Sequence, residues 1–499
     1  MRTIINKIKV VALLLAVSSF SMTSCSDFLD VESRHAEPED KQWTSVADTR
    51  SALMGVYALT RAAVTDGNLY WVCGELPYGD FTVREDNDLK AVVKGDFYGS
   101  GKYFNSISDY HRFYTAINAA AVFIENAHKT EEADMAYSEQ NEKWDVAQAR
   151  LLRAFLYYQM ARIYGDVPLV KYSYDNGSFP TVEKAPQSAV LAYVKDELKK
   201  AAQDLPTVFG SKSNKYYYQE PEYWRGVLVN KVAAYALLAH VSAMTGNYAD
   251  CETYCQLVID NQPSVTSKTS QYIETANVYS PLGIFSSDAT SFSAYRIMSL
   301  VAPYKGNEAR ADGHIESMTL ASPYVRRAYP DIYVSTDSIR AIYTDVLDER
   351  AGIDTTTMTY RNAFFNMTTT YPIFKKINVV QDGNPTDVDF AVYSSALVVT
   401  RYEDIVLLMA EAQWVLNRTS EALALYNEVR ETRGLKQKTL AYDFGNDRNR
   451  VIDEIFNERR RELVGEGWRW FDIIRRQKIR KDNPELLKKI NNGEIYWRQ

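Results

Sequence analysis

Apolar residues along this chain recur at helical rather than strand spacing. Residues 43–65 set Val46, Leu53, Val56, Tyr57 and Leu59 along one face of a helix. Residues 112–129 (RFYTAINAAAVFIENAHK) repeat the pattern. Residues 145–164 (DVAQARLLRAFLYYQMARIY) do so more strongly, with Gly165 and Pro168 as stop signals. Residues 188–205 predict another amphipathic helix ahead of Pro206. Two later stretches, 230–260 and 401–430, resemble each other. Each reads as an alanine-rich helix, a short polar turn (Thr245-Gly246-Asn247 or Asn417-Arg418-Thr419) and a second helix. Small residues such as Ala239, Ala243 and Ala410 let the paired helices approach closely. Hairpins of this kind bury their faces only against neighbouring hairpins, as in tetratricopeptide (TPR) solenoids. The match to the strict repeat is loose, so the expectation is a mainly α fold of TPR-like helical hairpins.

Between these segments the periodicity stops. Residues 66–104 and 263–384 are rich in Gly, Pro, Asn, Asp, Ser, Thr and Tyr. Irregular stretches this long inside a compact chain are usually functional loops with short elements of their own. Helices are expected to supply the scaffold, and loops the ligand surface.

The N-terminus bears on location. Arg2, Lys7 and Lys9 precede an apolar run from Val10 to Val17, and small and polar residues lead to Cys25. This predicts a bacterial secretory signal over 1–24, too short to span a membrane. Met22-Thr23-Ser24-Cys25 is similar to a lipoprotein signal-peptidase box, with Cys25 as the acylated new N-terminus. One acyl chain anchors only marginally, so stable attachment needs two or more. The expected division is a signal peptide (1–24), an N-terminal region (25–220) and a C-terminal region (221–499) carrying the loop insert 263–384. Losing the signal removes three positive charges, so the formal net charge moves from −7 to −10. An acidic chain without a basic run argues against nucleic acid as a partner. Cys73, Cys251 and Cys255 are too few for a disulfide scaffold, and Cys251 and Cys255, one helical turn apart, read as small half-buried residues. Tyrosine is abundant, with 36 residues.

Signals for catalysis are weak. The five histidines (His35, His111, His128, His240, His314) form no His-x-x-x-His pair. Glu-x-x-His occurs at Glu32/His35 and Glu125/His128, spacing that chance supplies readily. There is no Gly-x-Ser-x-Gly elbow and no P-loop. Acid pairs are plentiful, and two carboxylates are all a glycosidase requires, so hydrolysis stays open at this level. The expectation is no cofactor and no metal site.

Several motifs in order resemble the SusD/RagB family of outer-membrane nutrient-binding lipoproteins. They are Cys25-Ser-Asp-Phe-Leu-Asp30; ARLLRAFLYYQMARIYGDVPLV (149–170); the alanine-rich helix and Thr-Gly-Asn-Tyr turn of 230–248; RYEDIVLLMAEA (401–412); YNEVRETRGL (426–435); and NERRRELVGEGWRWFDIIRR (457–476). Departures are small: Asp404 and Thr432 replace Glu and Arg, Val464-Gly465 stands where Ala and Phe are commoner, and the lipobox lacks its usual leucine. Leading into the last motif, Val451, Ile452, Ile455 and Phe456, with Leu463 inside it, form a helical face. Gly465 and Gly467 break that helix, and Trp470, Phe471 and Ile474 begin another. Its arginines are interspersed with Glu454, Glu458, Glu462, Glu466 and Asp472, so they read as internal ion pairs of the scaffold. A polyanion site would leave arginines unpaired.

The resemblance implies a non-catalytic, lipid-anchored surface protein that binds glycans and sits over a SusC-like TonB-dependent transporter. The RagB branch suggests peptides as the alternative ligand; a structural TPR adaptor and a surface glycosidase are the remaining readings. It also implies a ligand surface built by loops after the first helix and ahead of the C-terminal motifs. In the first loop, 68–86, the candidates are Trp71, Tyr78, Asp80, Arg84 and Asp86, with Tyr70 beside them. In the second, 301–310, they are Tyr304, Lys305 and Asn307, with Tyr324 and Tyr329 next in line. Flat rings suit the C–H face of a pyranose, and the polar groups its hydroxyls.

Overall fold

The structure, a computed structural model, describes residues 42–85, 88–174, 180–288, 292–302, 313–354, 356–357, 359–367, 369–382 and 391–497. The signal segment, Cys25, Asp86, Tyr304, Lys305 and Asn307 lie outside them.

The fold is mainly helical. Helix α1 (Val46–Thr65) starts at Ser45, whose hydroxyl accepts from the Asp48 amide at 3.2 Å. A short α2 (Leu69–Glu75) follows, then strand β1 (Phe81–Val83). Helices α3 (His111–Asn126), α4 (Glu139–Tyr164) and α5 (Gln187–Asp204) complete the first half. From Ala147 to Tyr164 every residue except Arg150 is buried, so α4 is the central helix, apolar on most sides. It stops at Gly165, whose φ of 75° suits glycine.

The two similar stretches are helical hairpins. Helices α6 (Lys231–Met244) and α7 (Tyr248–Thr266) form one. Strands β2 (Arg296–Leu300), β3 (Ile332–Val334) and β4 (Leu397–Arg401) follow, and then α8 (Tyr402–Val415) and α9 (Thr419–Glu431) form the other hairpin. Packing runs in series: α1 on α3, α3 on α4, α4 on α5, α5 on α6, α6 on α7, and α7 on α8. The insert therefore leaves the helical stack unbroken, and each hairpin buries its face on the next. Helix α7 runs through Pro263 to Thr266, further than its sequence suggests. Burial of Gln262, Val265 and Thr266 outweighs the missing amide at this last turn. Cys251 and Cys255 are buried and free.

Helices α10 (Arg448–Leu463), α11 (Arg469–Arg480) and α12 (Pro484–Asn491) end the chain, and α11 packs back on α2. The glycine turn between α10 and α11 allows this. A Cβ on Gly74 would lie 2.2 Å from the Gly467 carbonyl oxygen, so only two glycines can meet here. Glu75 accepts from the Gly467 and Trp468 amides at 2.7 and 3.2 Å, and burial pushes its carboxyl up to about 8.

Most arginines of the C-terminal motif are paired inside the protein. Arg459 meets Asp472 at 2.9 Å and Asp404 at 2.8 Å; Arg461 meets Glu458 at 2.9 Å; Arg475 meets Glu411 at 3.0 Å and Asp472 at 2.7 Å. Buried Arg401 binds Glu462 and Glu466, and Arg433 and Arg350 also reach Glu462. These guanidinium groups hold Glu462 well below the usual carboxylate range despite its burial.

Candidate functional site

Strand β1 pairs with β3 antiparallel, Phe81 opposite Val334, Thr82 opposite Tyr333 and Val83 opposite Ile332. Phe81, Val83, Ile332 and Val334 face the core, so the pleat turns Thr82 and Tyr333 outward. Continuing the ladder, the Arg84 amide donates to the Asp331 carbonyl at 2.9 Å, and its Nε donates to the Pro330 carbonyl at 3.0 Å. Asp331 is held between two guanidinium groups, Arg327 at 2.8 Å and Arg84 at 3.5 Å, while its carboxylate stays half exposed.

Around Asp331 lies a group of tyrosines. Tyr329 and Tyr371 meet edge to face at 5.5 Å between centroids, and Tyr371 meets Tyr333 at 5.1 Å. Tyr329 is 54% exposed. The Tyr103 hydroxyl is held above its ordinary range by desolvation and by the charges of Asp331 and Asp88. The surface thus offers ring faces and edges, carboxylate acceptors at Asp331 and exposed Glu85, and donors at Arg84 and Arg327. That is the chemistry a pyranose needs: apolar C–H against rings, hydroxyls against charged and polar groups.

The residues singled out in the first loop separate. Trp71 is 3% exposed in α2, edge-on to Tyr70, and it packs the loop onto the helical body. As a ligand-stacking ring it is therefore corrected: all seven residues of α2 are buried where it meets α11. Asp80 is corrected likewise, because its buried carboxylate is the counter-ion of Arg460 and Arg469. Arg84 lies in the tyrosine surface. Tyr78 points elsewhere, into a cleft beside α11 and α12, where its ring stacks on Trp470 at 5.4 Å. Asp86 and the second-loop candidates Tyr304, Lys305 and Asn307 lie outside the described residues. The flanks of that loop are tied down: the Ala302 amide donates to Ser287 Oγ at 2.9 Å, and Arg61 donates to the Gly313 carbonyl at 3.2 Å. Tyr324 packs edge-on against Phe365 at 5.6 Å, half-buried.

Tyr333, Asp331, Arg327 and Tyr371 are additions to those candidates. A signal for two of them was present: in Tyr329-Pro-Asp331-Ile-Tyr333 the outer residues alternate at strand spacing, which puts them on one side of an extended segment. Nothing local points to Tyr371.

One buried cluster brings together serine, histidine and a carboxylate. Ser395 Oγ lies 2.9 Å from His314 Nδ1 and donates to Glu316 at 2.9 Å, while His314 Nε2 faces Arg61 at 3.3 Å. Here serine bridges histidine and acid, whereas a hydrolytic triad has histidine in the middle. Burial pushes His314 down to about 3 and Glu316 up to about 7. All three side chains are buried. Among the described residues no group of three or more His, Cys, Asp or Glu side chains could hold a metal ion.

Comparisons with known proteins agree with this architecture. Residues 329–494 match the model of the SusD family, and residues 27–242 match a family described as starch-binding associating with outer membrane. SusD-like protein P38 of Formosa agariphila is 22% identical over 98% of this chain and 95% of its own. A SusD-like carbohydrate binding protein from Bacteroides vulgatus has the same fold, at 18% identity, with 87% of this chain and 84% of that one covered and a TM-score of 0.64. A SusD superfamily protein from Bacteroides thetaiotaomicron is 46% identical, with 92% of this chain and 95% of that one covered and a TM-score of 0.84. With that identity over nearly the whole length, on the same helical scaffold, the chain belongs to the SusD/RagB family.

Proposed function

We propose that this protein is a glycan-binding lipoprotein of the bacterial outer membrane, acylated at Cys25, that presents oligosaccharide to a SusC-like TonB-dependent transporter. The observation that carries the binding reading is the Tyr329–Tyr371–Tyr333 surface around Asp331, Arg84 and Arg327. Tyrosine edges and faces with paired charges between them suit a neutral sugar better than an apolar peptide side chain, which needs an enclosed pocket. A named relative that binds carbohydrate and a family description that cites starch and the outer membrane support the ligand class and the address. The basic–apolar–small N-terminal pattern supports the anchor, and family membership supports the transporter partner. Burial of the Ser395–His314–Glu316 cluster favours binding without bond cleavage.

The test is calorimetric titration of the mature protein with a panel of neutral oligosaccharides and, in parallel, peptides. Tyr329→Ala and Tyr371→Ala should each weaken oligosaccharide binding by about 1 kcal/mol, the scale of one aromatic contact. Wild-type affinity in both folded variants would move the site elsewhere, and binding confined to the peptides would make peptide the ligand. Release of reducing ends by the purified protein would make it a glycosidase. Gentle detergent extraction should recover it with a large β-barrel partner.

A further inference from the structure

A cleft of about 540 Å³ lies between α10, α11 and α12 and is bordered on one side by Tyr78. It is distinct from the tyrosine surface, and its charges are unevenly matched. Behind its lining Arg460 grips the buried Asp80 through two nitrogens, with Nε at 2.9 Å. Arg469 shares that same carboxylate, but its Nε is 3.5 Å away, beyond charge-assisted hydrogen-bond length. The Arg469 Nε is buried without a hydrogen-bond partner. Desolvation, ahead of the attraction to Asp80, pushes this guanidinium below its ordinary range. One carboxylate therefore serves two arginines.

Lys489, in the same lining, has only the Tyr78 hydroxyl as a hydrogen-bond partner among the described residues, at 3.0 Å. The acids lining the cleft are mostly spent. Asp453 is held by Arg476 at 2.8 Å and Arg480 at 3.2 Å, and Asp472 by Arg459 and Arg475. Glu485 remains, on the first turn of α12. A guanidinium with one donor unpartnered, an ammonium and a tyrosine ring share this lining and form a cradle for one negative charge. An anionic group entering here would be attracted by the Arg469 guanidinium and the Lys489 ammonium, where the surrounding protein screens the attraction less than bulk water does.

We propose that this cleft is a second binding site, which takes a carboxylate or sulfate group carried on a sugar. The sugar as carrier rests on the glycan-binding reading; the anionic group rests on the cleft alone. Tyr78 would then serve a ligand here, its ring flat on Trp470 and its hydroxyl fixed by Lys489.

The experiment titrates the full mature protein calorimetrically with glucuronate, inorganic sulfate and, as the neutral control, glucose. Glucuronate should bind and glucose should not, and binding should weaken as sodium chloride is raised. A response to sulfate as well marks a general anion cradle; a response to glucuronate alone marks a carboxylate site. Lys489→Gln, at a half-buried position, should weaken glucuronate about fivefold or more, and Arg469→Gln should weaken it further. If Arg469→Gln does not fold, Lys489→Gln decides the matter by itself. No heat from either anion at tens of millimolar, equal binding of glucose, or unchanged affinity in Lys489→Gln would overturn the proposal. Tyr329→Ala separates the two readings: it should leave glucuronate binding intact, whereas Lys489→Gln should leave neutral oligosaccharide binding intact.

Discussion

Asp145 gives a sharp test of how burial and hydrogen bonding compete. Its side chain is fully buried in α4 and accepts from the hydroxyls of Tyr137 (3.0 Å), Tyr216 and Tyr217. No ion pair to Asp145 occurs among the described residues; the nearby Arg50 lies over the Tyr217 ring, 5.3 Å from its centroid. Hydroxyl donors favour the carboxylate, but desolvation is the larger effect and pushes the group from 3.8 to about 7. A folded value raised above the unfolded one means the group stabilises fully below about pH 4. That contribution is lost progressively as pH rises and is gone above about 7. Each tenfold difference in proton affinity between the folded and unfolded chain is worth about 1.4 kcal/mol, so the whole span amounts to about 4 kcal/mol at most. Other acids, such as Glu462, lose stability in the opposite direction at low pH, so the wild-type curve alone does not isolate Asp145. The difference between wild type and Asp145→Asn does. Urea unfolding of both proteins at a series of pH values from 5 to 8.5 should show the variant gaining on wild type up to about pH 7 and then holding level, with a slope near 1.4 kcal/mol for each step of one in pH. A difference independent of pH across this range would mean that the three tyrosine hydroxyls keep Asp145 ionised throughout, and the desolvation argument would fall.

Other outcomes follow from the same physics. Arg401→Met leaves Glu462 and Glu466 without a shared buried partner, and should cost about 3–5 kcal/mol in urea unfolding. Gly467→Ala should destabilise by about 2 kcal/mol or more, because φ is +82° and a Cβ would lie 2.2 Å from the Tyr70 ring; a thermal melt unchanged from wild type would contradict that packing. Palmitate labelling should mark the wild-type protein and vanish in Cys25→Ala, with release from the outer-membrane fraction; persistent labelling of the variant would remove Cys25 from the account.

What the sequence by itself determined is what depends on near neighbours. A helix is specified by apolar residues three and four apart, so α1, α3, α4, α5 and both hairpins were legible from residues 43–65 through 401–430, and so was the TPR-like logic of their stacking. Interspersed acids and arginines in 457–476 foretold internal ion pairs, because opposite charges that fold inward must meet. The tertiary structure alone decided which loop residues face a ligand. Trp71 and Tyr78 are both aromatic and belong to one loop, yet one is buried in α2 and the other opens onto a cleft. Asp80 reads as a free acceptor until Arg460 and Arg469 arrive from the far end of the chain. Tyr371 joins Tyr329 and Tyr333 only because the insert folds back beside β3. Burial and charge pairing between segments hundreds of residues apart have no period to read, since they are set by which faces the packed helices leave open.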